Sequence, residues 1–171
     1  EATCSMWCDA ILKFSYEWID HFVRNKGGSP PWTIPEFRFA ETAIVQTIKG
    51  DHRGVTWTPH TWLVEEWLEG DFVKYVWNGN SNAYEALHEG EEMERAEFLM
   101  FVQHVQYEKL HRKVFISDFQ GDQVMLRGIS RVATGNTDMF GEGNVAHAFD
   151  GFPKDHHCNK WCEWFELEKY Q

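Results

Sequence analysis

The segment His156-His157-Cys158-Asn159-Lys160-Trp161-Cys162 constrains this chain more than any other. His156, Cys158 and Cys162 form an H-x-C-x3-C cluster, and three soft or borderline ligands so close together suit a tetrahedral zinc ion. Cys158 and Cys162 are four residues apart, so on a helix they share one face. The local run lacks a fourth ligand. If a distant segment supplies it, the ion fastens that segment to a C-terminal helix. The competing reading is a pair of buried thiols beside an exposed His. A disulfide at this spacing is awkward, because it constrains both the Cα separation and the Cβ directions. Cys4 and Cys8 repeat the C-x2-W-C spacing near the N-terminus. They read as small buried hydrophobes, with a second metal site as the alternative.

Composition narrows the surroundings of the cluster. The chain has 171 residues, enough for one domain with a real core, and its 16% aromatic content supplies much buried area. A formal net charge of −11 disfavours nucleic acid and anionic membrane surfaces. No apolar run approaches the roughly 20 residues that span a bilayer, and no signal peptide opens the chain. Beginning at Glu1 rather than Met, it reads as a fragment or a processed chain. A reduced, cytoplasmic protein is the expectation, with a nuclear one also open.

The hydrophobic pattern is α+β, with no βαβ alternation. Residues 5–24 read as an amphipathic helix with Ile11, Phe14, Trp18 and Phe22 on its apolar face. Gly27-Gly28-Ser29-Pro30-Pro31 ends it. Strands are expected over 36–49, 61–68 and 71–77, and a helix over 83–109 with Phe98, Phe101, Val102 and Val105 inward. Glu91, Glu92, Glu94 and Glu97 give that helix a solvated acidic face. A short buried strand follows over 113–117. Residues 128–151 read as glycine-rich and irregular, and the metal cluster then begins a last helix.

Chemistry collects where the 113–117 strand ends. Asp118 and Gln120 are two apart, so on an extended chain they point to one side. Their hard oxygens suit Mg2+ and, through it, nucleotide phosphates. A strand-ending turn Asp is the plainer reading of Asp118. The Phe140-Gly141-Glu142-Gly143-Asn144 loop lets backbone approach a ligand, although neither phosphate-binding fingerprint, G-x4-G-K-[ST] nor G-x-G-x-x-G after a strand, is present.

Taken in order, these segments resemble the alpha-kinases, an atypical family of protein serine/threonine kinases. The run L-V-E-E-W-L-E-G-D-F-V-K-Y at 63–75 is similar to the family's hinge, and V-Q-H-V-Q-Y-E at 102–108 to its F-S-H-F-T-Y-E helix. V-F-I-S-D-F-Q-G at 114–121 resembles V-V-D-L-Q-G, and F-G-E-G-N at 140–144 resembles F-G-x-G-N-L-G. The cluster at 156–162 matches H-x-C-N-x-x-C. The resemblance implies a protein-kinase-like fold, with residues 1–70 as a partial N-terminal lobe and hinge and 71–171 as the C-terminal lobe. It also supplies a fourth zinc ligand, His104, for a closed structural site of His104, His156, Cys158 and Cys162. It further implies that Asp118 and Gln120 hold Mg2+, that Glu65 lies where the hinge meets adenine, and that Lys74 and Asn144 lie at the nucleotide. ATP and a protein substrate are the implied partners.

The chain also departs from the family pattern. The family's glycine-rich phosphate loop and strand Lys precede the first helix, and neither is found here. The family's later Asp, which handles the substrate hydroxyl, falls at Gly128. Asp122 and Asp138 lie nearby, and the spacing supports neither. Val145-Ala146 replaces the final L-G of the loop. Phosphoryl transfer depends on positioning and charge neutralisation, so the expectation is a weak or inactive kinase. The alternative is a pseudokinase that binds a protein or a nucleotide.

Overall fold

The structure, a computed structural model, describes residues 1–47, 51–52, 55–56, 58–127, 131–135, 140 and 145–170. Helix α1 runs Ala2–Lys26, and Gly27 stops it. Gly27 takes φ 76°, a left-handed conformation open to glycine, and its N–H bonds the Val23 carbonyl. The buried stripe of α1 is Cys4, Ser5, Cys8, Ile11, Leu12, Ser15 and Ile19. That corrects the expected face: Phe14, Trp18 and Phe22 flank the stripe and are half-buried. Hydropathy pointed to the large aromatics, whereas the most deeply buried positions are Cys8, Leu12, Ser15 and Ile19. Cys4 and Cys8 are buried there and are not joined in a disulfide.

The expected strand over 36–49 divides into β1 (Arg38–Phe39) and β2 (Thr42–Gln46), and residues 48–50 lie outside those described. The break at Ala40-Glu41 carries the chain from one sheet to another. A short ladder of β3 (Asp51–His52) and β4 (Val55–Thr56) precedes β5 (Thr61–Glu65), which pairs antiparallel with β2. Next come β6 (Val73–Lys74), α2 (Glu91–Lys109), β7 (Val114–Ser117), β8 (Gln120–Gly121) and β9 (Met125–Leu126). The helix expected from 83 begins at 91. Residue 90 is a glycine at φ 132°, outside helical space, and 83–90 form turns. Glu91, Glu92 and Glu94 then occupy the first helical turn, where acidic groups complement the helix dipole.

The second half of α2 is buried on every side, from Phe98 through Tyr107. It is the axis of the molecule, with α1, β7 and the C-terminal segment packed around it. Its two buried glutamines fasten the free edge of β7. Gln103 donates to the Ile116 carbonyl at 2.8 Å, and Gln106 accepts from the Ile116 N–H at 2.8 Å. Gln106 also donates to Ser15 at 3.0 Å, which ties α1 into the same network. A central sheet runs β1-β9-β8-β6, with β1 and β9 parallel.

The 128–151 region is not wholly irregular. It contains β10 (Arg131–Thr134), paired antiparallel with β7, and α3 (Ala146–Asp155). Ala148 and Phe152 of α3 bury against β7 and β10, and this packing turns a glycine-rich sequence into regular structure. The final helix, α4 (Lys160–Trp164), spans only five residues.

Candidate functional site

Four side chains from two distant stretches converge at one point. His104 lies on the buried face of α2, His156 follows α3, Cys158 is in the connecting loop, and Cys162 is on α4. Their ligand atoms all lie within 4.8 Å of one another, the one such group of three or more His, Cys or acidic residues among the described residues. Sγ of Cys162 is 3.5 Å from His104 Nδ1 and 3.6 Å from His156 Nε2, and Sγ of Cys158 is 3.8 Å from His104 Nδ1. Donors about 2.0–2.3 Å from a tetrahedral centre stand about 3.5 Å apart, so this spacing fits zinc. The far nitrogen of His104, Nε2, is 3.7 Å from the Glu108 carboxylate, beyond hydrogen-bond distance, and is buried without a hydrogen-bond partner among the described residues.

The two cysteines do not share a helix face, which corrects the reading of their spacing. Asn159 between them caps α4: its side chain accepts from Trp161 N–H and Cys162 N–H, and its own backbone is extended. A cap residue cannot be helical, so Cys158 stays outside the helix. Asn159 also donates to the Glu97 carbonyl at 2.7 Å, which holds the knuckle against α2.

Burial sets the protonation of this cluster. It lowers His104 to about 4, aided by the Lys109 ammonium, and lowers His156 to about 3, aided by His104. Both imidazoles are therefore neutral near pH 7, the form that binds metal. Burial pushes the Cys162 thiol up to about 12. A thiolate there needs a cation beside it.

A second constellation lies where β6 meets β8. Their register sets Lys74 opposite Gln120, and Lys74 Nζ is 2.7 Å from Asp118 Oδ1. Asp118 is 5% exposed and has φ 61°, a left-handed conformation that Asp tolerates better than most residues. The kink aims the carboxylate at Lys74 instead of along the strand. Glu65, at the end of β5, pairs with Arg127 at 3.0 Å, and the Arg127 N–H donates to the Gln120 carbonyl at 2.8 Å. Lys74 and Asp118 are thus linked to Glu65 through the Gln120 backbone and Arg127, a residue that no sequence motif singles out. Asn144, Gly128 and Asp138 lie outside the described residues.

Asp122 has a structural position. Its Oδ1 accepts from the Val124 and Met125 N–H groups at 2.9 and 2.7 Å, and Tyr75 donates to its carbonyl at 2.8 Å. Gly121 beside it has no room for a side chain, since a Cβ would meet the Met125 carbonyl oxygen at 2.1 Å. Arg38 meets Glu66 through two short bonds, 2.6 and 2.7 Å, fixing the end of β5 to β1. That pair holds the Glu66 carboxyl down at about 2.

An α+β molecule with a His/Cys knuckle and a Lys–Asp patch beside a short hinge-like connection belongs to a recognisable class. Residues 7–162 match the alpha-kinase family, and the chain belongs to that family. Its fold is similar to the alpha-kinase domain of myosin heavy chain kinase A in complex with ADP, at 21% identity and TM-score 0.61, covering 96% of this chain and 58% of that one. The same domain in complex with AMP-PNP matches at 21% identity and TM-score 0.60 over 95% of this chain and 56% of that one. An inactive form in complex with ATP matches at 20% identity and TM-score 0.62 over 95% and 57%. The chain therefore spans less than two thirds of the solved domains it resembles. No curated protein matches it significantly. No described helix is long and apolar enough to cross a membrane.

Proposed function

We propose that this chain is a kinase-type, nucleotide-handling part of an alpha-kinase, held together by a structural zinc ion. His104, His156, Cys158 and Cys162 are the zinc ligands. Asp118 and Gln120 hold Mg2+, Lys74 orients Asp118, and Glu65 marks the adenine side through the hinge. Asn144 belongs to the same site by its place in the loop motif. Residues 1–70 are read as the partial N-terminal lobe and hinge, and 71–171 as the C-terminal lobe. The observation that carries this reading is the 2.7 Å contact of Lys74 with a buried Asp118, two residues before Gln120, which pairs with Lys74 on the neighbouring strand. A buried carboxylate and an adjacent amide suit a hard cation. Mg2+ held there would supply positive charge to neutralise nucleotide phosphates.

Transfer to a protein substrate is read as slow or absent. Gly128 stands where the family places the Asp that handles the substrate hydroxyl, and Asp122 is committed to its turn. Losing a general base alone costs about 10²–10⁴-fold in rate. This observation favours the second reading, a pseudokinase that binds nucleotide without transfer.

The test is titration calorimetry of Mg2+–ATP on the zinc-loaded chain, with Asp118→Asn as the comparison. Asn keeps the shape and the left-handed tolerance of Asp and removes the charge. Saturable binding that D118N abolishes supports the reading. Binding unaffected by D118N, or no binding at about millimolar nucleotide, refutes it. Radiolabelled phosphotransfer then separates a slow kinase from a pseudokinase.

A further inference from the structure

Away from the Lys74–Asp118 patch, the start of α2, the 32–36 segment, the turn at Gln123-Val124 and the start of α4 enclose a cleft of about 520 Å³. Trp32 and Trp161 line it with ring centroids 5.3 Å apart, and Val124 is 59% exposed at its edge. Trp161 is 2% exposed, yet its indole Nε1–H meets no acceptor among the described residues. A buried donor without an acceptor is uncommon and is costly until one arrives.

The rim is acidic beyond what its own cations neutralise. Arg95 is committed to Glu91 at 3.3 Å and Lys160 to Glu97 at 3.5 Å. Glu36 and Glu94 are exposed and have no ion-pair partner among the described residues. A smaller cleft of about 290 Å³ shares Gln123 and Val124 and adds Asp71 and Glu92. The carboxylates are thus strung along a groove. They do not converge as metal ligands do; among the described residues that convergence occurs only in the His/Cys knuckle.

We infer that this groove docks an extended segment of a partner protein with lysine or arginine at alternate positions. Alternate residues of an extended chain face one side, so basic side chains reach Glu36, Glu94 and Glu92 in turn. The intervening apolar residues rest on Trp32 and Val124. A main-chain carbonyl of the segment accepts the Trp161 N–H, after a small movement that admits it to the shielded nitrogen. Trp32 already carries an ammonium over its ring, that of Lys160 at 5.4 Å, so the floor accepts cations as well as apolar groups. The acidic face at the start of α2 then has a use beyond solvation.

The experiment is fluorescence anisotropy on the full zinc-loaded chain, using a fluorescein-labelled octapeptide of alternating lysine and valine. An alternating glutamate–valine peptide is the control. The basic peptide should bind and the acidic one should not. The exposed pair E36Q/E94Q should weaken binding about tenfold, because each rim pair contributes modestly. E17Q/E89Q, an equal charge change outside the groove, should leave binding unchanged. Trp161→Phe keeps the ring and removes the donor, and should weaken binding several-fold; its fold is checked by its melting curve. Absence of binding, equal binding of both peptides, or equal effects of the two double variants would overturn the proposal.

Discussion

Withdrawing zinc should release the C-terminal segment from α2. His104, His156 and Cys162 are each at most 2% exposed. Without an ion, these three buried groups keep no partner of comparable strength. A buried polar group left unsatisfied costs about 1–3 kcal/mol, so the loss is on the order of 3–9 kcal/mol. That is comparable with the whole stability of a typical domain, about 5–15 kcal/mol. At this chain length each kcal/mol shifts the melting temperature by about 2–4 °C, so chelation should lower it by at least about 6 °C. Cys162→Ser should reproduce the loss in the presence of zinc, since serine cannot replace the thiolate. The assay is thermal melting by circular dichroism, with bound zinc counted by atomic emission before and after chelation. Near one zinc per chain and a melting curve that falls as zinc leaves are expected. Zinc-free protein with an unchanged melting curve would refute the metal assignment, and with it the idea that the knuckle holds α4 to the core.

Acid should act through the same groups. Both buried histidines lie well below the free imidazole value of about 6.5, at about 4 and 3. Their contribution is complete above about pH 6.5 and is lost as pH falls toward those values, because the unfolded chain takes up the protons first. In the zinc-free chain two protons give a slope of up to about 2.7 kcal/mol per pH unit between roughly pH 6 and 4, measurable by urea denaturation at several pH values. Gly121→Ala should force β8 and β9 apart, since the new Cβ would meet backbone at 2.1 Å. A loss of about 1–3 kcal/mol or more is expected, read as a lower denaturation midpoint. Asn159→Ala removes the cap of α4 and its bond to the Glu97 carbonyl. It should cost about 1–2 kcal/mol and weaken zinc retention in a competition assay with a colorimetric chelator.

Much of the candidate site was legible before any fold was known, because its parts are short and ordered. Asp118 and Gln120 are two residues apart, and His156, Cys158 and Cys162 fall within seven; nearness of this kind survives into structure, although the shared helix face of the cysteines and the extended backbone at Asp118 do not. His104 came from motif order, since nothing in its own neighbourhood marks it as a ligand. Helix α1 and its stop at Gly27 followed from periodicity and glycine chemistry. The start of α2 did not, because residues 83–90 lack a strong breaker until Gly90, whose positive φ only the folded chain reveals.

What the residues determined by themselves was the chemistry on offer: a soft-ligand knuckle, a carboxylate beside an amide, and an acidic, aromatic-rich chain. Tertiary structure decided which of these groups meet. It brought His104 to His156, 52 positions further along the chain, and it set Lys74 against Asp118 through a two-residue strand pairing. It placed Gln103 and Gln106 in the core to satisfy the free edge of β7. It also made a helix of 146–155, where composition suggested loop. The reason is common to all of these: spacing along the chain controls neighbours within a turn or a pleat, whereas long-range partners are chosen by burial. Burial is a property of the packed whole, in which a polar side chain is kept only where a distant group satisfies it.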